Sequence, residues 1–136
     1  MYHNSSFLQE IFSCNGYNIL KKNNIYRWRA STTPISARLF QTLIEEGQLD
    51  DYERWLRDIT SVFGGVYNFM YPNKVTLDLN NYFDGHHFYP HVGDQIAARI
   101  LKGPHVQNSA FGVYVTDATI DAHLKEVEQL AKQLAP

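Results

Sequence analysis

Asn81-Tyr82-Phe83-Asp84-Gly85-His86-His87-Phe88-Tyr89-Pro90-His91-Val92-Gly93-Asp94 is the stretch on which the reading of the whole chain turns. It holds two acids, three histidines and four aromatics, and an apolar, helix-like segment from Gln95 to Leu101 follows at once. At its centre stands Asp84-x-x-His87. An acid three residues before a histidine lets one loop present both side chains to the same small volume. A carboxylate there can hold the Nδ1–H of an imidazole and fix its tautomer, leaving the other nitrogen free as a general base. That is two members of a Ser-His-Asp arrangement. The spacing alone leaves two other readings open. Asp84-Gly85 also suits a plain turn, with glycine supplying positive φ and the aspartate bonding its own backbone, and the histidines then stand as solvated loop residues. Alternatively, Asp84, His86, His87 and His91 form a zinc site. Pro90 opposes a helix running back to His87, which would be needed to set His87 and His91 on one face.

Working back from the loop, Val66-Tyr67-Asn68-Phe69-Met70 reads as a buried strand and Val75-Thr76-Leu77 as a short extension of it. Before that strand, Tyr52, Trp55, Leu56, Ile59, Val62 and Phe63 recur at helical spacing. Asp50 and Glu53 resemble a capping box at the start of that helix, and Gly64-Gly65 supplies its left-handed exit. The aromatic stripe of this helix is expected in the core. A preceding helix is expected from about Ile35 to Glu46, with Leu39, Phe40, Leu43 and Ile44 on its apolar face. Ile25 to Thr32 reads as a strand, Lys21 to Asn24 as an exposed loop, Tyr17 to Leu20 as a strand or helix end, and Phe7 to Phe12 as a short helix.

Beyond the loop, a helix is expected to begin near Pro90 to Gly93, carry Val92, Ile96, Ala97, Ile100 and Leu101 inward, and close at Gly103-Pro104. Phe111 to Val115 reads as a strand. A last helix, capped by Thr116 or Asp117, has Ile120, Leu124, Val127, Leu130, Ala131 and Leu134 as its stripe, with His123 expected on the surface. Strands alternating with helices are the grammar of an α/β fold, and loops beyond strand ends are where such folds bind ligands.

Composition narrows the classes. The 136 residues suit a single domain, 1–136, with its ordered α/β part at about 25–134. Twelve Lys and Arg against fourteen Asp and Glu give a net charge of −2, which offers no electrostatic case for nucleic acid or an anionic membrane. Cys14 is the single cysteine, so an intrachain disulfide and a cysteine zinc site are both excluded, which fits a reducing compartment without fixing the location. No apolar run is long enough to span a bilayer, and residues Met1 to Phe7 lack the basic start and apolar stretch of a signal peptide.

Tyr82 to Ile100 resembles the last block of SGNH (GDSL-type) hydrolase-like bacterial proteins, which carries Asp-x-x-His, His-Phe, a Pro, Gly-Asp and an Ile-rich helix. Thr33-Pro34-Ile35-Ser36-Ala37-Arg38 is similar to the Pro-x-x-x-Arg segment after a middle strand of that group. Tyr52 to Ile59, followed by Val66 to Phe69, resembles its next helix and strand. The likeness spans roughly Arg29 to Leu124. It implies a partial SGNH, flavodoxin-like three-layer sandwich made of the later strands and helices of a parallel sheet. It further implies hydrolysis or transfer of an O-acyl ester, carbohydrate esters included, with His87 as general base, Asp84 as its orienting carboxylate, and no cofactor or metal.

The family's nucleophile sits in a Gly-Asp-Ser-like block well upstream of Asp-x-x-His, and its oxyanion donors come from a Gly and a Gly-x-Asn block. None of these occurs in this sequence. The chain therefore reads as the C-terminal portion of such a protein: a short form, one product of a split gene, or a truncated one. Its expected partner is an upstream half of the same fold or a second copy of itself. A non-enzymatic interaction domain that completes its sheet against a partner chain is the alternative. Of the serines, Ser36 stands just after a strand and beside a helix start, a place that suits a capping residue as well as a nucleophile. Ser31 and Ser109 have no context that singles them out.

Overall fold

The computed structural model of the chain describes residues 17–22 and 25–134, with side chains described from Arg29 onward. The helix expected at Phe7 to Phe12 lies outside the described residues. The elements in order are β1 (Tyr17–Lys22), β2 (Ile25–Ser31), α1 (Ala37–Glu45), α2 (Leu49–Phe63), β3 (Val66–Asn68), a 3-10 turn (Leu79–Asn81), α3 (Pro90–Leu101), β4 (Val113–Val115) and α4 (Ile120–Leu134). The fold is mixed α/β. Its strands lie in the order β1-β2-β3-β4.

The sheet is not the parallel one expected. Only β2 and β3 pair in parallel, with Ala30 opposite Val66 and Ser31 opposite Tyr67. A parallel pair needs a long crossover, which α1 and α2 supply. β1 pairs antiparallel with β2, Lys22 lying opposite Ile25, because Asn23 and Asn24 alone join the two strands. Lys21 and Lys22 are thus the end of β1 and not part of a loop, and the sheet begins at Tyr17, ahead of the expected start near residue 25. β4 pairs antiparallel with β3: Val113 lies opposite Asn68, so the chain leaving α3 enters the sheet where β3 ends.

Helices cover both faces. Side chains alternate along a strand, and the two cores follow that alternation. Val115 joins Phe40, Leu43, Tyr52, Leu56, Leu124 and Val127 in a core with α1, α2 and α4. Tyr67 joins Phe69, Val92, Ile100 and Phe111 in a second core with α3. Leu43 and Leu56 are fully buried, each contributing roughly 1.5–3 kcal/mol by leaving water.

The helix ends follow local chemistry. Ser36, in extended backbone, caps α1: its Oγ accepts the Leu39 N–H at 3.2 Å. Ile35, expected inside that helix, instead precedes the cap and packs into the core. α2 starts earlier than the capping-box pattern implied. Gln48 is its N-cap, with no side-chain cap, and the Gln48 N–H donates to the Leu43 carbonyl in the short link from α1. Asp50 and Asp51 fall in its first turn, where the helix dipole favours acids. Gly64, at φ 75°, closes α2 as expected.

β3 is shorter than the apolar run suggests, because side chains capture the next backbone donors. Thr32 Oγ1 accepts both the Phe69 N–H at 2.8 Å and the Met70 N–H at 3.1 Å. Val75 to Leu77 is a turn rather than an extension, since Asn73 Oδ1 accepts the N–H groups of Val75 and Thr76. α3 opens with Pro90 at its first turn, where a missing N–H costs nothing.

Two polar residues belong to the core, His123 against expectation. His123 is 5% exposed and sits among Ile120, Leu124 and Val127 on the buried face of α4. Its position three residues after Ile120 places it inside the stripe. Arg99 is likewise buried on α3, while Leu101, expected inward, is 76% exposed. The Arg99 guanidinium donates to the carbonyls of Gly112 and Gly103, each at 2.8 Å, and lies 5.3 Å above the Tyr67 ring, tying α3 to the start of β4. α4 begins at Ile120, after a turn in which Thr119 Oγ1 accepts the Thr116 N–H, and so starts later than a cap at Thr116 or Asp117 implies. Among the described residues no helix is long and apolar enough to cross a membrane.

Candidate active site

Asp84 and His87 occupy the tip of a small hairpin. Tyr82 and Phe88 form an isolated antiparallel bridge, and the Phe83 N–H donates to the His87 carbonyl at 2.8 Å. Three contacts seat this hairpin on the body. The Gly85 carbonyl accepts the Ser36 N–H at 2.9 Å at the start of α1. The Tyr82 hydroxyl reaches the Pro34 carbonyl at 3.3 Å. Asn81 Nδ2 donates to the Val75 carbonyl at 2.9 Å. Phe83 and Tyr89 then pack in a tilted pair across the base of the hairpin with ring centroids 3.9 Å apart.

Within that frame the Asp84 carboxylate does two jobs. Oδ1 accepts the backbone N–H groups of His86 at 2.9 Å and His87 at 2.8 Å, an Asx turn. Oδ2 lies 2.7 Å from His87 Nδ1. The turn reading and the dyad reading are therefore both satisfied, by different oxygens of one side chain. Gly85 does not adopt positive φ, so the turn does not call on the conformational freedom of glycine. The hydrogen bond from His87, and then the two backbone donors, hold the Asp84 carboxyl well below the usual carboxylate range. An ionised carboxylate at 2.7 Å requires a proton on Nδ1, so in the neutral imidazole Nε2 of His87 carries the lone pair. That is the form of a general base.

The other histidines divide. His86 Nδ1 lies 3.7 Å from Asp84 Oδ1, and its ring is 3.9 Å from that of His87. His91 is held apart from them, with Nε2 2.7 Å from Asn81 Oδ1. Asp84, His86 and His87 present ligand atoms within 4.8 Å of one another, so these three, without His91, are the residues that could hold a metal ion. Oδ1 of Asp84 already accepts two backbone donors, so its contribution to such a site falls to Oδ2, which also bonds His87 Nδ1.

None of the candidate serines completes a triad here. Ser36 is buried, with its oxygen engaged in capping α1. Ser109 donates to the Phe111 carbonyl at 2.8 Å. Among the described residues no serine hydroxyl bonds to Nε2 of His87.

Beside the hairpin is a groove of about 400 Å³ between its inner side and α1, lined by Arg38, Leu39, Thr42, Leu79, Phe83 and Asp84 among others. Its volume is within the usual range for small-molecule sites, roughly 300–1,000 Å³. Asp84 belongs to its wall, whereas His87 stands outside it. Sequence reasoning did not single out Leu79, Phe83 or Thr42. The first two carry a signal only in hindsight: 51% and 65% exposed, they are large apolar side chains kept in water beside a charged loop.

Taken together, fold and site define an α/β protein with an exposed histidine–aspartate dyad on a hairpin beside a ligand-sized groove. No family model, curated protein or solved structure matches the chain.

Proposed function

We propose that this chain is the acid/base portion of an SGNH-hydrolase-like fold, in which Asp84 and His87 serve the hydrolysis or transfer of an O-acyl ester. The observation that carries the reading is the 2.7 Å contact between His87 Nδ1 and Asp84 Oδ2, on a carboxylate already fixed by two backbone donors. Asp84 orients the imidazole and stabilises its cation. His87 Nε2 takes a proton from a serine supplied by another segment, and returns it to the leaving alkoxide. The helices on both sides of the sheet and the similarity of Tyr82 to Ile100 to the family block support the partial three-layer sandwich. The parallel β2–β3 pair fits it, and the antiparallel β1 and β4 are departures from the family's parallel sheet.

The experiment compares ester turnover by this chain alone, by a form joined to or mixed with an upstream Gly-Asp-Ser-bearing segment, and by that form carrying His87→Ala. The chain alone is expected to show no turnover above background. A base without its nucleophile contributes about 10²–10⁴-fold at most, and each absent oxyanion donor removes roughly another 10²–10³. The completed form is expected to show activity that His87→Ala abolishes. Equal activity with and without His87 would refute the reading. Turnover by the isolated chain that Ser36→Ala removes would make Ser36 the nucleophile instead.

A further inference from the structure

The arginines with described side chains differ in one respect. Arg29 donates to the Ile100 carbonyl, Arg99 to those of Gly112 and Gly103, Arg57 pairs with Asp121, and Arg54 with Asp51. Arg38, on the first turn of α1, has no hydrogen bond or ion pair from its guanidinium among the described residues. It is exposed, and it lines the groove beside the Asp84 hairpin. A guanidinium has five donors and no acceptor in a planar fork that matches a carboxylate or a phosphate with two parallel bonds.

The rest of the groove sorts the substrate by chemistry. Leu39, Leu79 and Phe83 offer apolar contact, and Thr42 a hydroxyl. Asp84 is ionised and lies in the same wall, so within the groove an anion is favoured on the Arg38 guanidinium and disfavoured against the Asp84 carboxylate. From this we infer that the groove takes a substrate carrying an anionic group, a carboxylate or a phosphate. The anion sits on Arg38, the body of the molecule lies on Leu39 and Phe83, and the reacting ester is turned toward the Asp84–His87 hairpin. The placement of the ester rests on the proposed acyl-transfer reading; the anion site does not.

The test is an amide NMR titration of the full chain with three probes: glucuronate, inorganic phosphate and glucose. Either anion is expected to shift the Leu39, Thr42 and Gly85 amides saturably, while glucose leaves them unmoved. A response to glucuronate alone assigns a carboxylate, and a response to phosphate alone a phosphate ester. In Arg38→Gln the affinity is expected to fall about tenfold or more, the loss of a charge-assisted hydrogen bond, with Arg38→Lys retaining part of it and the spectra of both variants showing an intact fold. Glucose binding as well as glucuronate, no saturable shift with either anion, or an unchanged titration in Arg38→Gln would each overturn the inference. His87→Ala separates the two ideas. Anion binding that persists in His87→Ala, together with a completed enzyme indifferent to His87, removes the acyl-transfer reading and leaves the anion site. His87-dependent turnover of an anionic ester whose KM ignores Arg38→Gln removes the anion site and leaves the enzyme.

Discussion

His123 should make the stability of this protein fall in acid. Its Nε2 lies 2.8 Å from Asn68 Nδ2, which can only donate, so Nε2 accepts and the proton resides on Nδ1. The same amide donates to the Tyr52 hydroxyl at 3.1 Å, the Asn68 carbonyl oxygen accepts from Thr32, and the Tyr71 ring packs edge-on against the imidazole. Burial pushes the His123 pKa down from its ordinary value to about 4. The unfolded chain, with a histidine near 6.5, therefore binds the extra proton first. The contribution is present in full above about pH 6.5 and is lost as pH falls through about 4. At about 1.4 kcal/mol per unit the total is on the order of 3 kcal/mol, a large share of the stability of a small domain.

His123→Leu removes the titration. It also strands one Asn68 donor, which costs about 1–3 kcal/mol at neutral pH. Urea unfolding of both proteins at several pH values between 7.5 and 4 isolates the term as a difference, because other titrating groups are common to both. The wild-type advantage at neutral pH should shrink steadily below about pH 6.5. Parallel curves across that window would refute the reasoning, as would nitrogen chemical shifts placing the neutral proton on Nε2.

Glu53 should act in the opposite direction. Partial burial and the neighbouring Glu128 carboxyl raise its pKa to about 7, so its contribution is complete below the ordinary carboxylate pKa and is lost as pH rises through about 7. Solvent screening limits the effect to about 1 kcal/mol, and Glu53→Gln should flatten that part of the stability profile in urea titrations. Gly112→Ala should destabilise by at least about 2 kcal/mol in the same assay, since φ is +88° and a Cβ would sit 2.4 Å from Phe69 and 2.8 Å from Arg99. Gly47→Ala, with φ +71° and open space around it, should cost only about 1 kcal/mol. After dialysis against zinc the chain should retain no stoichiometric metal; retention that His86→Ala abolishes would show that Asp84 yields its hydrogen bonds to an ion.

What could be read from the sequence was local, and most of what could not was set by tertiary contact. The Asp84–His87 contact follows from spacing because both residues flank one hairpin tip, where three positions close on themselves. The exit of α2 was equally legible, since Gly64 is the residue that left-handed backbone demands. The burial of Arg99 was not legible, because the Gly112 and Gly103 carbonyls that receive it lie beyond the end of its own helix. His123 was missed although the helical period pointed inward, because residue type was allowed to outweigh position. The direction of β4 depends on where the chain re-enters after α3, which no local pattern encodes.

The hairpin also bears on how a base could be ready before a nucleophile arrives. A histidine on a flexible loop would lose orientation, and with it most of the benefit of proximity. Here the carboxylate that orients His87 is itself fixed by the two N–H groups of the turn it creates. The turn is closed by the Phe83–His87 backbone bond, and its Gly85 carbonyl is bonded to the Ser36 N–H at the start of α1. Ser36 in turn caps α1, the helix that carries Arg38 into the groove. The Asp84–His87 pair and the groove are thus positioned from a single helix start. On the proposed acyl-transfer reading, a segment bringing a nucleophile would meet a dyad already oriented, so the structural demand on that segment reduces to placing one hydroxyl near His87 Nε2 and donors where the oxyanion develops.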